Sequence, residues 1–248
     1  MDKKLLRIYQ LQDGYCYNSD TLFLFDFAKN FLRNHIKLLD IGSGSGILGL
    51  LCARFFQIDL SLVEKDLHAS FLARKNAKTN GISAQIYHQD IFNFLPQNPT
   101  YRFDFILSNP PFYRSEILNS KNPKISMARN EIFMPFEKLC NHIKKLLSPK
   151  GSFIFCYDAK EMHRVFSSLL NQNLIPQTLR LVYPRINLGP TLILVQTKIN
   201  AKGSLKILPP LFTHTGSNQK DHSQEAQKIY DFCQTYSIKI ESKDILLD

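Results

Sequence analysis

Apolar positions along this chain fall into short runs that alternate with stretches of helical spacing. The runs Ile36 to Ile41, Leu60 to Glu64, Ala84 to His88, Phe103 to Leu107 and Ser152 to Tyr157 predict strands. Between them, Ile47 to Phe56 repeats Leu48, Leu51 and Phe55 on one face, and Asp66 to Asn80 is a helical stretch closed by Gly81 at a C-cap. Phe133 to Leu147 and Lys160 to Asn171 predict two more helices. The final runs, Leu179 to Tyr183 and Leu192 to Thr197, are divided only by Pro184 and a Gly189-Pro190 turn. Upstream, Leu22, Phe25 and Leu32 recur at helical spacing behind Asn18, Ser19 and Asp20, any of which suits an N-cap. Residues 93–102, with Pro96 and Pro99, predict a loop or a ragged helix, and the polar, aperiodic residues 114–133 a loop; Pro149 to Gly151 predicts a turn.

Strand and helix in alternation, followed by a strand pair with no helix between, describe one mostly parallel sheet with an antiparallel member. The α/β reading has seven strands, an antiparallel last strand and helices on both faces. Its expected divisions are an N-terminal segment over the ligand site (1–34), the sheet domain (35–200) and a C-terminal extension (201–248).

Composition narrows the class. A chain of 248 residues suits one α/β domain with an appendage. It shows no leader-like start and no apolar run of membrane length, which reads as a soluble, cytoplasmic protein. Its five cysteines are scattered without C-x-x-C spacing, so buried free thiols are expected rather than disulfides or zinc, and the histidines form no metal-ligand cluster. The net charge is +10, and from Ala201 onward six lysines balance six acids, so the excess lies in the main domain. That asymmetry points to a nucleic-acid partner.

The chemistry concentrates in two stretches. KLLDIGSGSG, Lys37 to Gly46, runs a strand into a turn in which Gly42, Gly44 and Gly46 leave the backbone bare, with a helix N-terminus behind. SNPPFY, Ser108 to Tyr113, ends another strand. Both thus stand at carboxyl ends of strands, where open α/β sheets hold ligands. By itself the turn is ambiguous. Gly44, Gly46 and Gly49 satisfy G-x-G-x-x-G, and Glu64, about twenty residues on, would serve as a dinucleotide ribose acid, so an NAD-dependent oxidoreductase stays open at this point.

Asp40 before the turn gives D-x-G-x-G-x-G, which resembles motif I of class I S-adenosylmethionine-dependent methyltransferases. SNPPFY resembles motif IV of those that act on exocyclic or amide nitrogens, and it stands in the same place, after the fourth strand. The resemblance implies a Rossmann-like class I methyltransferase fold, S-adenosyl-L-methionine as cofactor and S-adenosyl-L-homocysteine as product. It implies catalytic roles for Asn109, Pro110, Pro111 and Phe112. Gly49 is left with close packing of helix on strand.

The residue types make chemical sense. A ring amino nitrogen is a poor nucleophile because its lone pair is delocalised. If the Asn109 side-chain oxygen and the Pro110 carbonyl each accept one N–H, the lone pair is aimed at the methyl, and the prolines fix both acceptors beforehand. Phe112 offers a face for base stacking, worth about 1–3 kcal/mol per base.

Three further blocks, DGYCYNSDTLFLFDFA, KISMARNE and LKILPPLFTH, resemble the bacterial tRNA1(Val) adenine N6-methyltransferase family. That family often has Tyr where this chain has Phe112. The resemblance makes Glu64 the holder of the ribose hydroxyls, Asp90 the partner of the adenine amino group and Asp20 a residue near the methionine end. Asp40 joins the glycines of the turn as cofactor-binding. Arg114, Lys121, Lys124 and Arg129 place positive charge beside the stacking residue, as an RNA contact requires. A protein glutamine N5-methyltransferase uses the same N-P-P-[FY] logic, but with a helical domain before the glycine motif, and only 39 residues precede Asp40 here.

Overall fold

Strand β2 (Ile36–Ile41) lies inside the sheet and is buried on both faces, with Leu38, Leu39 and Ile41 fully enclosed. A strand of this kind needs a layer of helices on either side. In the computed structural model, which describes residues 5–12, 14, 16–112, 130–218, 220–241 and 245, it has both.

The chain passes from β2 through α2 (Ile47–Phe55) to β3 (Ile58–Glu64), and through α3 (Leu67–Thr79) to β4 (Gln85–His88). It then returns to the other side of β2 as β5 (Phe103–Ser108). Next come α4 (Phe136–Leu146), β6 (Leu147–Asp158), α5 (Met162–Asn171), β7 (Leu174–Tyr183) and β8 (Leu192–Ile199). The lateral order is β7-β8-β6-β5-β2-β3-β4, with β8 antiparallel to both neighbours and the other pairs among these strands parallel. These are the seven expected strands, and the last one is the antiparallel member. One core layer joins the sheet to α2, α3 and α1 (Ser19–Ala28); the other joins it to α4 and α5. Because the order reverses between β2 and β5, their carboxyl ends flank an open crevice, the usual ligand position in such sheets.

The extension departs from the sequence pattern. Two-residue strands β9 (Lys206–Ile207) and β10 (Leu211–Phe212) widen the sheet to nine strands on the β7 side. Strands so short carry no alternation to read. Helix α6 (Gln224–Cys233) buries Ala226, Ile229 and Cys233 in the core, and β11 (Thr235–Ile240) pairs in parallel with β1 (Leu6–Leu11) in a separate two-stranded sheet. Other boundaries shift for local reasons. Glu131–Phe133 is a 3-10 turn, in which Asn130 Oδ1 accepts from Ile132 N at 3.0 Å, so α4 begins after Pro135. The predicted turn at Pro149 to Gly151 lies inside β6, where the register with β5 shifts between Phe103 and Phe105. Strand β7 starts earlier than expected and absorbs Pro176 at an irregularity of its pairing with β8. No helix among the described residues is long and apolar enough to cross a membrane.

Gly49 has the packing role expected of it. A Cβ there would stand 2.5 Å from Leu62 Cδ2 and 3.0 Å from Leu60 Cδ1, both in the buried sheet. Gly49→Ala is therefore expected to lower unfolding free energy by about 1–3 kcal/mol, seen as an earlier urea midpoint at unchanged m-value.

Candidate active site

A cleft partly open to solvent occupies the crevice at the carboxyl ends of β2, β3 and β5. Gly42 and Gly44 of the glycine turn form its floor, and the turn's Gly42, Gly44 and Gly46 take φ of 64°, 55° and 86°. Gly44 takes a left-handed φ that favours glycine, and the space where a Cβ would point is open. Its N–H donates to Glu64 Oε2 at 2.8 Å, and Glu64 Oε1 accepts from Asp66 N at 2.7 Å. Asp66 in turn caps α3 by accepting from Ala69 N at 2.8 Å. Glu64 thus fixes the turn against the next helix. Burial raises its pKa, opposed by these N–H donors. Each of its oxygens keeps a lone pair for a ligand.

Asp40, at the end of β2, is 1% exposed and accepts from Gly49 N at 2.9 Å through Oδ2. Burial pushes its carboxyl up to about 7; the Gly49 N–H pulls it back, and the Glu64 charge adds to the rise. The folded chain therefore holds a proton that the unfolded chain has released, so this contribution favours folding at acid pH. It is lost as pH rises from about 4 to about 7 and is level above that. Relative to Asp40→Asn, the wild type is expected to lose about 2.5 kcal/mol of unfolding free energy between pH 5 and pH 8, measured by urea titration at both.

The facing wall carries Asn109 and Pro111. Ser108 Oγ donates to Ile41 O at 3.0 Å, tying the end of β5 to the end of β2. Asn109 Nδ2 donates to Thr21 Oγ1 at 3.1 Å, while Cys156 Sγ donates to Asn109 Oδ1 at 3.0 Å. Cys156 is fully buried, and burial holds its thiol protonated, so it remains a donor. The Asn109 amide is held at both ends, with one lone pair of Oδ1 unused by the thiol. Pro110 is buried, and Phe112 is half-buried with its ring 5.6 Å from that of Tyr157. Phe133 and Met134 complete this side, the Met134 Cε lying 3.2 Å from the position of a Gly42 Cβ.

The roof comes from the chain's start. Gln10, Leu11, Gly14, Tyr17 and Thr21 line the cleft. Asn76, fully buried on α3, accepts from Tyr9 N at 2.8 Å and donates to Tyr9 O at 3.0 Å and Ser45 O at 2.9 Å, joining β1 to the glycine turn. The tail holds the roof from outside. Gln10 Nε2 donates to Ser237 Oγ at 2.6 Å, and Tyr17 OH to Thr235 Oγ1 at 2.9 Å.

Of the residues singled out in the sequence, Asp40, Gly42, Gly44, Glu64, Asn109 and Pro111 share the cleft wall. Asp20, Gly46, Asp90, Pro110 and Phe112 stand outside it. Asp20 accepts from Asn18 Nδ2 at 2.7 Å at the start of α1, one residue before Thr21. Asp90 Oδ1 accepts from Phe92 N at 3.0 Å, and Oδ2 pairs with Lys65 Nζ at 2.8 Å. Burial works to raise the Asp90 carboxyl, but Lys65 and the Phe92 N–H prevail and hold it below the usual range. Lys65 itself lines the cleft. Arg114, Lys121, Lys124 and Arg129 lie outside the described residues.

Residues 18–173 match the family described as the methyltransferase small domain. The chain belongs to that family. It is a methyltransferase dependent on S-adenosylmethionine. The chain is 30% identical over 173 residues to the tRNA1(Val) (adenine(37)-N6)-methyltransferase of Shewanella putrefaciens, covering 68% of this chain and 71% of that one. The Dyadobacter fermentans protein of the same description is 32% identical over 133 residues, covering 52% and 53%, and that of Porphyromonas gingivalis 39% over 118 residues, covering 46% of each. The chain thus spans about half the length of most of these curated relatives. A predicted O-methyltransferase from Agrobacterium tumefaciens superposes with a TM-score of 0.67 at 14% identity, over 88% of this chain and 99% of that one. A methyltransferase from Pyrococcus furiosus gives 0.56 at 19%, over 77% and 88%. At such identities the likeness shows the fold alone.

The cleft of this methyltransferase suits its cofactor class. Ser43 Oγ is buried in the wall with no hydrogen-bond partner among the described residues, a polar atom a ligand could satisfy. Beside it stand the open edge of Gly44 and the Glu64 acceptors, with Ile47, Leu48, Ala69 and Leu72 as apolar surface for a flat ring.

Proposed function

We propose that this methyltransferase transfers the methyl group of S-adenosyl-L-methionine to the exocyclic N6 of an adenine in tRNA, the adenosine beside the anticodon of tRNA1(Val). One observation carries the reading: the fixed Asn109 amide and the bare glycine turn wall the same cleft. The description shared by the bacterial relatives supports the choice of RNA.

In this proposal Asp40 and the glycine turn, Gly42 to Gly46, cradle the cofactor, and Glu64 accepts its ribose hydroxyls. Asp90, beside Lys65 at the cleft's rim, meets the adenine end, and Asp20 stands behind Thr21 toward the methionine end. Bound cofactor supplies an activated methyl on a sulfonium. The chain supplies geometry. Asn109 Oδ1 and the Pro110 carbonyl each accept one N–H of the target amine, which turns its lone pair toward the cleft. Pro111 stiffens that segment, and Phe112 stacks on the target base. No side-chain base is required before transfer, because the nitrogen sheds its proton only after the new bond has formed. Burial of the wall around Asn109 keeps competing water from the amide oxygen. Arg114, Lys121, Lys124 and Arg129 contact phosphates flanking the target, and the partly unstacked loop makes the base cheap to extrude.

Nucleoside mass spectrometry of tRNA from cells lacking the protein tests the assignment. N6-methyladenosine missing from tRNA1(Val) supports it, and an unchanged level would remove tRNA adenine as the acceptor.

A further inference from the structure

The tip between β7 and β8, residues 184–191, belongs to the same edge of the sheet as the cleft. Ser108 is level with Phe155, Asp158 with Leu192, and Leu192 with Val182, so the tip rises where β5 delivers Asn109. Three strand spacings separate β7 from β5, about 14 Å at roughly 4.8 Å each. That is the length of about four stacked nucleotides at about 3.4 Å apiece.

The tip is anchored yet bare. Leu188 N donates to Arg185 O at 3.1 Å, Thr191 N to Val182 O at 2.9 Å and Ala159 N to Thr191 O at 3.2 Å. On its other flank Pro184 O accepts from His214 N at 3.0 Å and from Thr213 Oγ1 at 3.2 Å. On this tied frame Ile186 is 84% exposed and Leu188 41%. Arg185 lies within the tip, and Lys160 is exposed beside its returning end. No carboxylate stands within ion-pair distance of either among the described residues. The acids nearby are engaged: Asp158 Oδ1 accepts from Lys160 N at 2.9 Å, and Glu161 pairs with Arg164 at 2.9 Å.

We propose that this tip is a second RNA contact, in which Ile186 and Leu188 cover the base faces beside the extruded target while Arg185 and Lys160 meet the adjoining phosphates. This rests on the RNA reading above. A base that leaves the stack uncovers its neighbours, and a rigid apolar wedge is a common cover for such faces. Two cations without competing acids suit the phosphates beside them.

The test uses the full chain with an unmodified tRNA1(Val) transcript. Replacing both apolar residues, Ile186→Ser with Leu188→Ser, is expected to raise KM for the transcript about tenfold, with kcat and S-adenosylhomocysteine affinity unchanged. Separately, Arg185→Gln with Lys160→Gln is expected to flatten the plot of log affinity against log salt by about 1.5. Both pairs lie on the surface, and unchanged melting temperatures verify that the fold is kept. Wild-type KM and salt slope in the two double variants would overturn the tip contact alone. A wild-type protein that methylates no RNA would instead overturn the reading beneath it.

Discussion

Asn109→Ala is expected to lower kcat by about 100- to 1000-fold while S-adenosylhomocysteine binds within about twofold of wild type. The asymmetry follows from where the amide stands. Its oxygen is one of the two acceptors proposed for the target nitrogen, whereas the proposed cofactor cradle is Gly44 and Glu64, joined at 2.8 Å on the opposite wall. Thr21 and Cys156 hold the amide at 3.1 Å and 3.0 Å, so wild-type geometry is set before any substrate arrives. Single-turnover methylation measures the chemical step apart from product release. A variant that turned over at the wild-type rate would sink the two-acceptor mechanism, whatever its cofactor affinity.

A chain ending at Gln234, without β11, is expected to bind S-adenosylhomocysteine at least about tenfold more weakly, or about 1.4 kcal/mol. The loss begins with pairing. Strand β1 has β11 as its strand partner, from Leu6 opposite Thr235 to Leu11 opposite Ile240. Truncation also removes the Ser237 and Thr235 hydroxyls that hold Gln10 and Tyr17 over the cleft. The grip of Asn76 on Tyr9 and of Asn80 on Arg7, the Leu6 N bond to Gln234 O and the buried Leu6 and Ile8 side chains remain. A lone two-stranded sheet is already marginal, and β1 then has lost its strand partner along its whole length. Calorimetry on the truncated chain decides this; affinity equal to that of the full chain would show that the roof stands without its tail.

The sheet was legible because most of its strands are buried on both faces and so print continuous apolar runs, as in Leu38, Leu39 and Ile41. The glycine turn and SNPPFY were legible as local strings with a chemical meaning. What sequence could not show is what comes together over distance. Thr21 and Cys156 reach Asn109 from 88 and 47 residues away, and no spacing rule links them. Cys156 read only as a buried thiol; its use as a donor depends on β6 lying beside β5. The hold of β11 on β1 is not legible in the sequence, since the mostly exposed run Thr235 to Ile240 resembles a surface tail. Asp90 stands near the expected strand end, and its pairing with Lys65, whose reach the sequence does not disclose, is visible only in the fold.

The most direct measurement combines purified protein, S-adenosyl-L-methionine labelled in its methyl group, and an unmodified tRNA1(Val) transcript, followed by digestion and mass spectrometry of the nucleosides. The expected result is label on N6 of the adenosine beside the anticodon, and none when Asn109→Ala replaces the wild type. Label on another atom of the transcript, or an unlabelled transcript beside a labelled glutamine amide in a protein acceptor, would contradict the account.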